Sequence, residues 1–195
     1  MPIDTSVSVQ DFLEAAAAKQ PFPGGGACAA LVGALGAAMG TMTLRYTKDD
    51  SVAEPIAELD RARAMFEQLV LEDQTAYQSL TETKKSGGGA GEVEAAAALA
   101  VAAPQAIATT ALAVLRLAES VVPVANKWLL SDLAVCCELS MATLRCGIYN
   151  VRINLPDASD DTVKRASADC AKLLDEAAAV IQRVVPAIHA RMNEA

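Results

Sequence analysis

The chain has 195 residues, enough for one domain with its own core and too few for two such domains. With 53% hydrophobic and 21% charged residues it is not a disordered segment, and its net charge of −8 argues against a nucleic-acid partner because such a surface repels phosphate backbones. Aromatic residues are only 4% and alanine, the best helix former, is abundant, so the composition predicts an all-α fold, a single domain over residues 1–195.

Taken in chain order, Ser8 and Asp11 form a capping pair that opens a short helix over 9–19. The run Gln20-Pro21-Phe22-Pro23-Gly24-Gly25-Gly26 cannot continue a helix and predicts a sharply turned loop. A long helix then reaches Tyr46. Along it Ala29, Gly33, Ala37 and Thr41 recur every four residues, and side chains this small let another backbone come very close. Pro55 suits a first helical turn, and the next helix is expected over 54–85. Its apolar stripe includes Ile56, Leu59, Phe66, Leu69, Val70, Tyr77 and Leu80. The stripe steps from Phe66 by four, three, four and three residues, and position 73 in that series is Asp73. Ser86 to Gly91 is a flexible break. A helix follows over 92–121, with a kink or interruption expected at Pro104. Another is expected from Trp128 or Ser131 to Val151. Ser159-Asp160-Asp161 starts a last amphipathic helix with a kink at Pro186. Together these elements describe an up-and-down helical bundle.

The stretches 27–44 and 95–115 carry no charge and are long enough to be membrane candidates. They are mostly alanine and glycine, poor in the leucine, isoleucine and phenylalanine that drive insertion, and no aromatic belt flanks them. Two helices buried within a bundle, partly by another subunit, are the expected reading, with no membrane partner. The N-terminal residues lack a basic region followed by an apolar run, so a cytoplasmic location is expected. None of the five cysteines forms a CxxC pair and His189 is the only histidine. Reduced, buried cysteines and no metal site are therefore expected, with His189 at a surface or helix end.

Four groups of residues could carry chemistry. A carboxylate buried at position 73 costs several kcal/mol unless it is paired or protonated, and its raised pKa would suit proton transfer near neutral pH. The alternative is an edge position paired with a lysine. Gly24, Gly25 and Gly26 lead into a helix whose free N–H groups attract an anion or a polar ligand edge, or they merely permit a tight turn. Asn126-Lys127 and Ser131-Asp132 either contribute to a site or cap a helix. Asn150 and Asn154, flanking Arg152, either hold a flat heterocycle through their amides or close a helix C-terminus.

In this order the pieces resemble the formiminotetrahydrofolate cyclodeaminase / methenyltetrahydrofolate cyclohydrolase family. The resemblance rests on Pro-x-Pro-Gly-Gly-Gly at 21–26 and on Asp-x-x-Ala-aromatic at Asp73, Ala76 and Tyr77. It continues with Asn126, Ser131 and Asp132, and with Asn-Val-x-Ile-Asn-Leu at 150–155. It covers nearly the whole chain. The resemblance implies an all-α homodimer with a folate site in a groove near the subunit interface and Asp73 as the principal catalytic carboxylate. Gly24, Gly25, Gly26, Asn126, Ser131, Asp132, Asn150 and Asn154 would line or support that site, and Lys48 and Lys127 would meet the folate's glutamate tail. It implies formiminotetrahydrofolate cyclodeaminase activity, with methenyltetrahydrofolate cyclohydrolase as the alternative. A tetrahydrofolate derivative would be the substrate, no other cofactor would be needed, and a formiminotransferase would be a partner. Two other readings stand beside it: a relative acting on another amine or imine, and a non-enzymatic helical dimer. The sequence departs from the family pattern at Ala125, at Trp128 and in the short Ser-Gly-Gly-Gly-Ala-Gly connection.

Overall fold

Local capping divides the chain into helices much as the pattern predicts. The Ser8 hydroxyl accepts the Asp11 N–H at 3.0 Å, and that of Ser159 accepts the Thr162 N–H at 3.4 Å. In a computed structural model describing residues 2–194, six helices follow. They are α1 (Val9–Ala17), α2 (Gly25–Arg45), α3 (Ala53–Lys85), α4 (Ala90–Val121), α5 (Leu130–Asn154) and α6 (Asp160–Asn193). Short 3-10 turns occupy Asp50–Val52, Lys127–Leu129 and Leu155–Asp157, and the described residues contain no strand.

Several boundaries differ from expectation. Helix α1 stops at Ala17, short of residue 19. Helix α4 starts earlier than expected, because the Glu92 carboxylate reaches back to accept the Gly89 N–H at 2.9 Å. Helix α5 runs on through Asn154. Neither Pro104 nor Pro186 interrupts its helix. At Pro104 the reason is local. Proline has no N–H for the Ala100 carbonyl four residues back, and the Asn154 side chain donates to that carbonyl instead, at 2.6 Å.

Helices α2 to α5 form a closed ring, each antiparallel to the next. Helix α2 packs on α3 and α5, and α4 packs on the same two from the other side. Helix α6 lies along α4 and α5 and runs parallel to α4, with Gln105–Asp169 and Arg183–Glu119 contacts marking the register. Small residues set the spacing. A Cβ at Gly33 would stand 2.7 Å from the Phe66 ring, and one at Gly147 would stand 2.8 Å from the Pro104 carbonyl. The α2–α3 and α5–α4 approaches therefore have no room for side chains there. Phe66, Leu44, Leu115, Leu144 and Ile188 are fully buried in one core spanning the long helices, each contributing ~1.5–3 kcal/mol.

The two apolar helices α2 and α4 are long and hydrophobic enough to cross a membrane. Of their most apolar windows, 61% and 56% is buried within the bundle. Cys136, Cys137 and Cys170 are buried as expected, Cys28 is half-buried, and Cys146 departs from that expectation by lying exposed. His189 is exposed near the end of α6. The buried Gln74 donates to the carbonyls of Ile3 (2.7 Å) and Val70 (2.6 Å) and accepts the Ile3 N–H (3.0 Å), clasping the segment ahead of α1 to α3.

Candidate active site

The candidate site centres on the meeting of α3 with the first turn of α2. Asp73 is half-buried, and its carboxyl group fills the space where a side chain at position 26 would be. A Cβ on Gly26 would come within 2.5 Å of Cγ and both carboxyl oxygens. Burial pushes the Asp73 pKa from the ordinary 3.8 up to about 6. The Ala27 backbone N–H, in the first turn of α2 where helical partners are lacking, pulls the other way without offsetting the burial. The group therefore changes charge near neutral pH with no ion-pair partner among the described residues.

Beside it, Asn150 faces Gly25. A Cβ there would sit 3.2 Å from Oδ1 and 3.3 Å from Nδ2. The Asn150 amide N–H donates to the Cys146 carbonyl at 2.8 Å, which fixes the side chain. Asn154, one turn further along, is anchored through its amide to Ala100. A cleft of about 640 Å³ opens from this corner, a volume typical of small-molecule sites. Its walls are the Pro21–Gly25 loop, the C-terminal half of α3 and the end of α5. Phe22 and Tyr77 meet edge to face, with centroids 6.3 Å apart and planes at 82°, and present flat apolar surface to the cleft. The expectation that Tyr77 belongs to the core stripe is corrected. It is 45% exposed, because this part of α3 lines the cleft.

The structure thus brings Asp73, Gly24, Gly25, Gly26, Asn150 and Asn154 together. It does not bring in the other candidates within one chain. Lys48, Asn126, Ser131 and Asp132 lie where α2 ends and α5 begins. The 21 residues of α2 put that end roughly 30 Å away. There Asn126 works as a joint. Its Oδ1 accepts the Trp128 N–H at 3.0 Å, its amide donates to the Tyr46 carbonyl at 2.7 Å, and its own N–H donates to the Thr47 hydroxyl at 2.9 Å. Lys127 stacks its ammonium 4.8 Å from the centroid of Trp128, a side chain 75% exposed. Ser131 is exposed in the first turn of α5, whose N-cap is Leu129, so neither Ser131 nor Asp132 caps the helix.

Sequence reasoning passed over Phe22, Gln74, Lys84, Lys85 and Asp157 as cleft residues. Phe22 was visible only as part of a turn. Lys84 and Lys85, however, continue the face of Asp73, Tyr77 and Thr81 at helical spacing, a signal already present in the sequence.

The arrangement offers a proton-exchanging carboxyl at one end of a cleft, fixed amides beside it, and aromatic walls suited to a flat ring. Comparisons with known proteins show the family. The chain is 24% identical to a methenyltetrahydrofolate cyclohydrolase of Methylorubrum extorquens over 95% of its own length and 98% of that protein's. It is 30% identical to a formimidoyltransferase-cyclodeaminase of Mus musculus over 97% of its own length, while spanning 38% of that larger protein. Its fold is similar to the crystal structure of formiminotetrahydrofolate cyclodeaminase from Thermotoga maritima, with a TM-score of 0.85, 26% identity and coverage of 95% and 97% of the two chains. The sequence model of the formiminotransferase-cyclodeaminase family matches residues 8–180, and the chain belongs to that family.

Proposed function

We propose that this protein makes or breaks the C–N bond at the methenyl bridge of tetrahydrofolate, acting as a formiminotetrahydrofolate cyclodeaminase. The observation that carries the proposal is the Asp73 carboxyl, seated in the gap left by Gly26, raised to a pKa of about 6 and opening onto a cleft with fixed amides and aromatic walls. In this reaction N10 attacks the formimino carbon held on N5, a tetrahedral centre forms, and ammonia leaves to give the methenyl bridge. Attack requires a base for the N10 proton, and departure requires an acid for the leaving nitrogen. Asp73 serves as both in turn, and its pKa lies close enough to neutrality for either direction of transfer. Asn150 and Asn154, held by their own hydrogen bonds, orient the pterin edge.

Cyclohydrolase activity is the second reading, supported by the end-to-end match to the Methylorubrum enzyme. There water attacks the same carbon and the same carboxyl takes its proton. The double name of the mouse relative supports a formiminotransferase as supplier of the formimino group.

The proposal includes a homodimer. Polar residues of the family pattern occupy both ends of the molecule, and a second antiparallel copy brings the far end of one chain to the cleft of the other. On α2 the side carrying Cys28, Leu31, Leu35 and Met39 is left only partly covered, and Leu35 is 55% exposed.

The deciding experiment supplies formimino- and methenyltetrahydrofolate separately and follows methenyl absorbance. Faster consumption of the formimino compound establishes the deaminase, and the reverse establishes the cyclohydrolase. Asp73→Asn is expected to melt as a folded protein and to lose at least tenfold in turnover, on the order of a hundredfold to ten-thousandfold for a group acting as acid and base. Full activity in that variant would remove Asp73 from the mechanism.

A further inference from the structure

The sequence has nine arginines. Six of them hold carboxylates, as Arg183 holds Glu119 at 2.6 Å, and Arg191 donates to the Val122 and Ala125 carbonyls. Arg145 and Arg152 have no such partner among the described residues. Both open onto the same groove between α5 and α6, which has a volume of about 390 Å³.

Arg145, Tyr149 and Arg152 follow one another by four and three residues, so they share one face of α5, with the two arginines roughly 10 Å apart along the helix. Tyr149, between them, is 64% exposed and puts an aromatic ring on the rim. Ile148 and Leu174 supply apolar surface, and Asp175 is the acid of the α6 wall. Asp175 pairs with neither guanidinium, and two cations against one anion leave the groove positive on a chain whose net charge is −8. Burial raises the pKa of Cys170 on α6, and the Arg152 charge pulls it back, so the field of that guanidinium crosses to the facing helix.

Helix stability accounts for only part of this layout. Arg152 lies in the last turn of α5 and suits the helix dipole there. Arg145 lies two turns earlier, beyond the reach of that effect. The guanidinium fork suits carboxylate and phosphate oxygens, and side chains of this length can converge on a group held between them. The groove volume falls in the range of small-molecule sites. We propose that this groove binds a small amphipathic anion, a phosphate or carboxylate held by Arg145 and Arg152 with an apolar or planar body laid along Tyr149 and Leu174. The groove shares no lining residue with the Asp73 cleft, and the inference goes beyond the folate reading without resting on it.

The test titrates the full chain with inorganic phosphate, phenyl phosphate and phthalate by calorimetry, with no folate present. The tighter of the two ring-bearing probes is expected to bind about tenfold more strongly than inorganic phosphate, and to weaken as salt is raised. Either order of those two supports the site and names its anion, phosphate or carboxylate. Arg145→Gln and Arg152→Gln are each expected to weaken binding about tenfold or more. Tyr149→Ala is expected to erase the advantage of the ring. Asp175→Asn is expected to tighten binding, a gain that damage to the fold cannot produce. All four side chains are exposed, so the variants are expected to keep the wild-type melting temperature. Absence of saturable binding by the wild type, or undiminished affinity in a double variant carrying Arg145→Gln and Arg152→Gln, overturns the site.

Discussion

Asp73 carries a cost that is measurable apart from catalysis. Its folded pKa of about 6 lies above the ordinary 3.8, so the unfolded chain gives up the proton first as pH rises. Stability is unpenalised below about pH 3.8, falls as pH rises toward 6, and bears the whole penalty above that. The shift corresponds to about 2–3 kcal/mol. Asp73→Asn should therefore be more stable than the wild type by that amount in urea melts at pH 8, and equal to it near pH 3.5. A variant no more stable at pH 8 would show that the carboxyl is comfortably solvated. This residue was legible from periodicity alone, as an acid in a core stripe. The reason for Gly26 was not, because only the packing of α3 against α2 reveals that its missing Cβ makes room for the Asp73 carboxyl.

At the scale of the element, the sequence located every helix but did not show how a proline is accommodated inside one. Pro104 has no N–H for the Ala100 carbonyl, which therefore takes a donor from elsewhere. The donor is Asn154, fifty positions further on, and local sequence does not show that pairing. The same contact recasts Asn154. Its amide nitrogen is occupied in fastening α5 to α4, which leaves its oxygen for the cleft. Asn154→Ala is expected to destabilise the fold by about 1–3 kcal/mol, since it strands a carbonyl. In a Pro104→Ala background, where α4 regains its own donor, the same change should cost less. A double-mutant cycle by denaturant melts measures the difference, and a coupling within 0.3 kcal/mol of zero would refute the link.

For the molecule as a whole, the all-α bundle was readable from composition and breaks in the chain, while the site was only half readable. Sequence order gathers Asp73, the triple glycine, Asn126, Asn150 and Asn154 into one pattern, yet antiparallel helices send Asn126 to the end opposite the others. One chain leaves them apart, and the proposed second copy would bring them together. Sedimentation equilibrium is expected to give twice the 20.2 kDa chain mass, and Leu35→Glu, placing a charge on the partly covered side of α2, is expected to shift the protein toward monomer with a fall in turnover. A monomeric, fully active wild type would dismiss the paired arrangement.

The Gln74 clasp also has a practical consequence. The residue next to Asp73 in sequence spends its amide on the backbone of Ile3, so the segment ahead of α1 is fastened to the wall of the candidate cleft. A truncation that removes Ile3 is expected to strand the Gln74 amide beside Asp73 and to loosen that wall of the cleft.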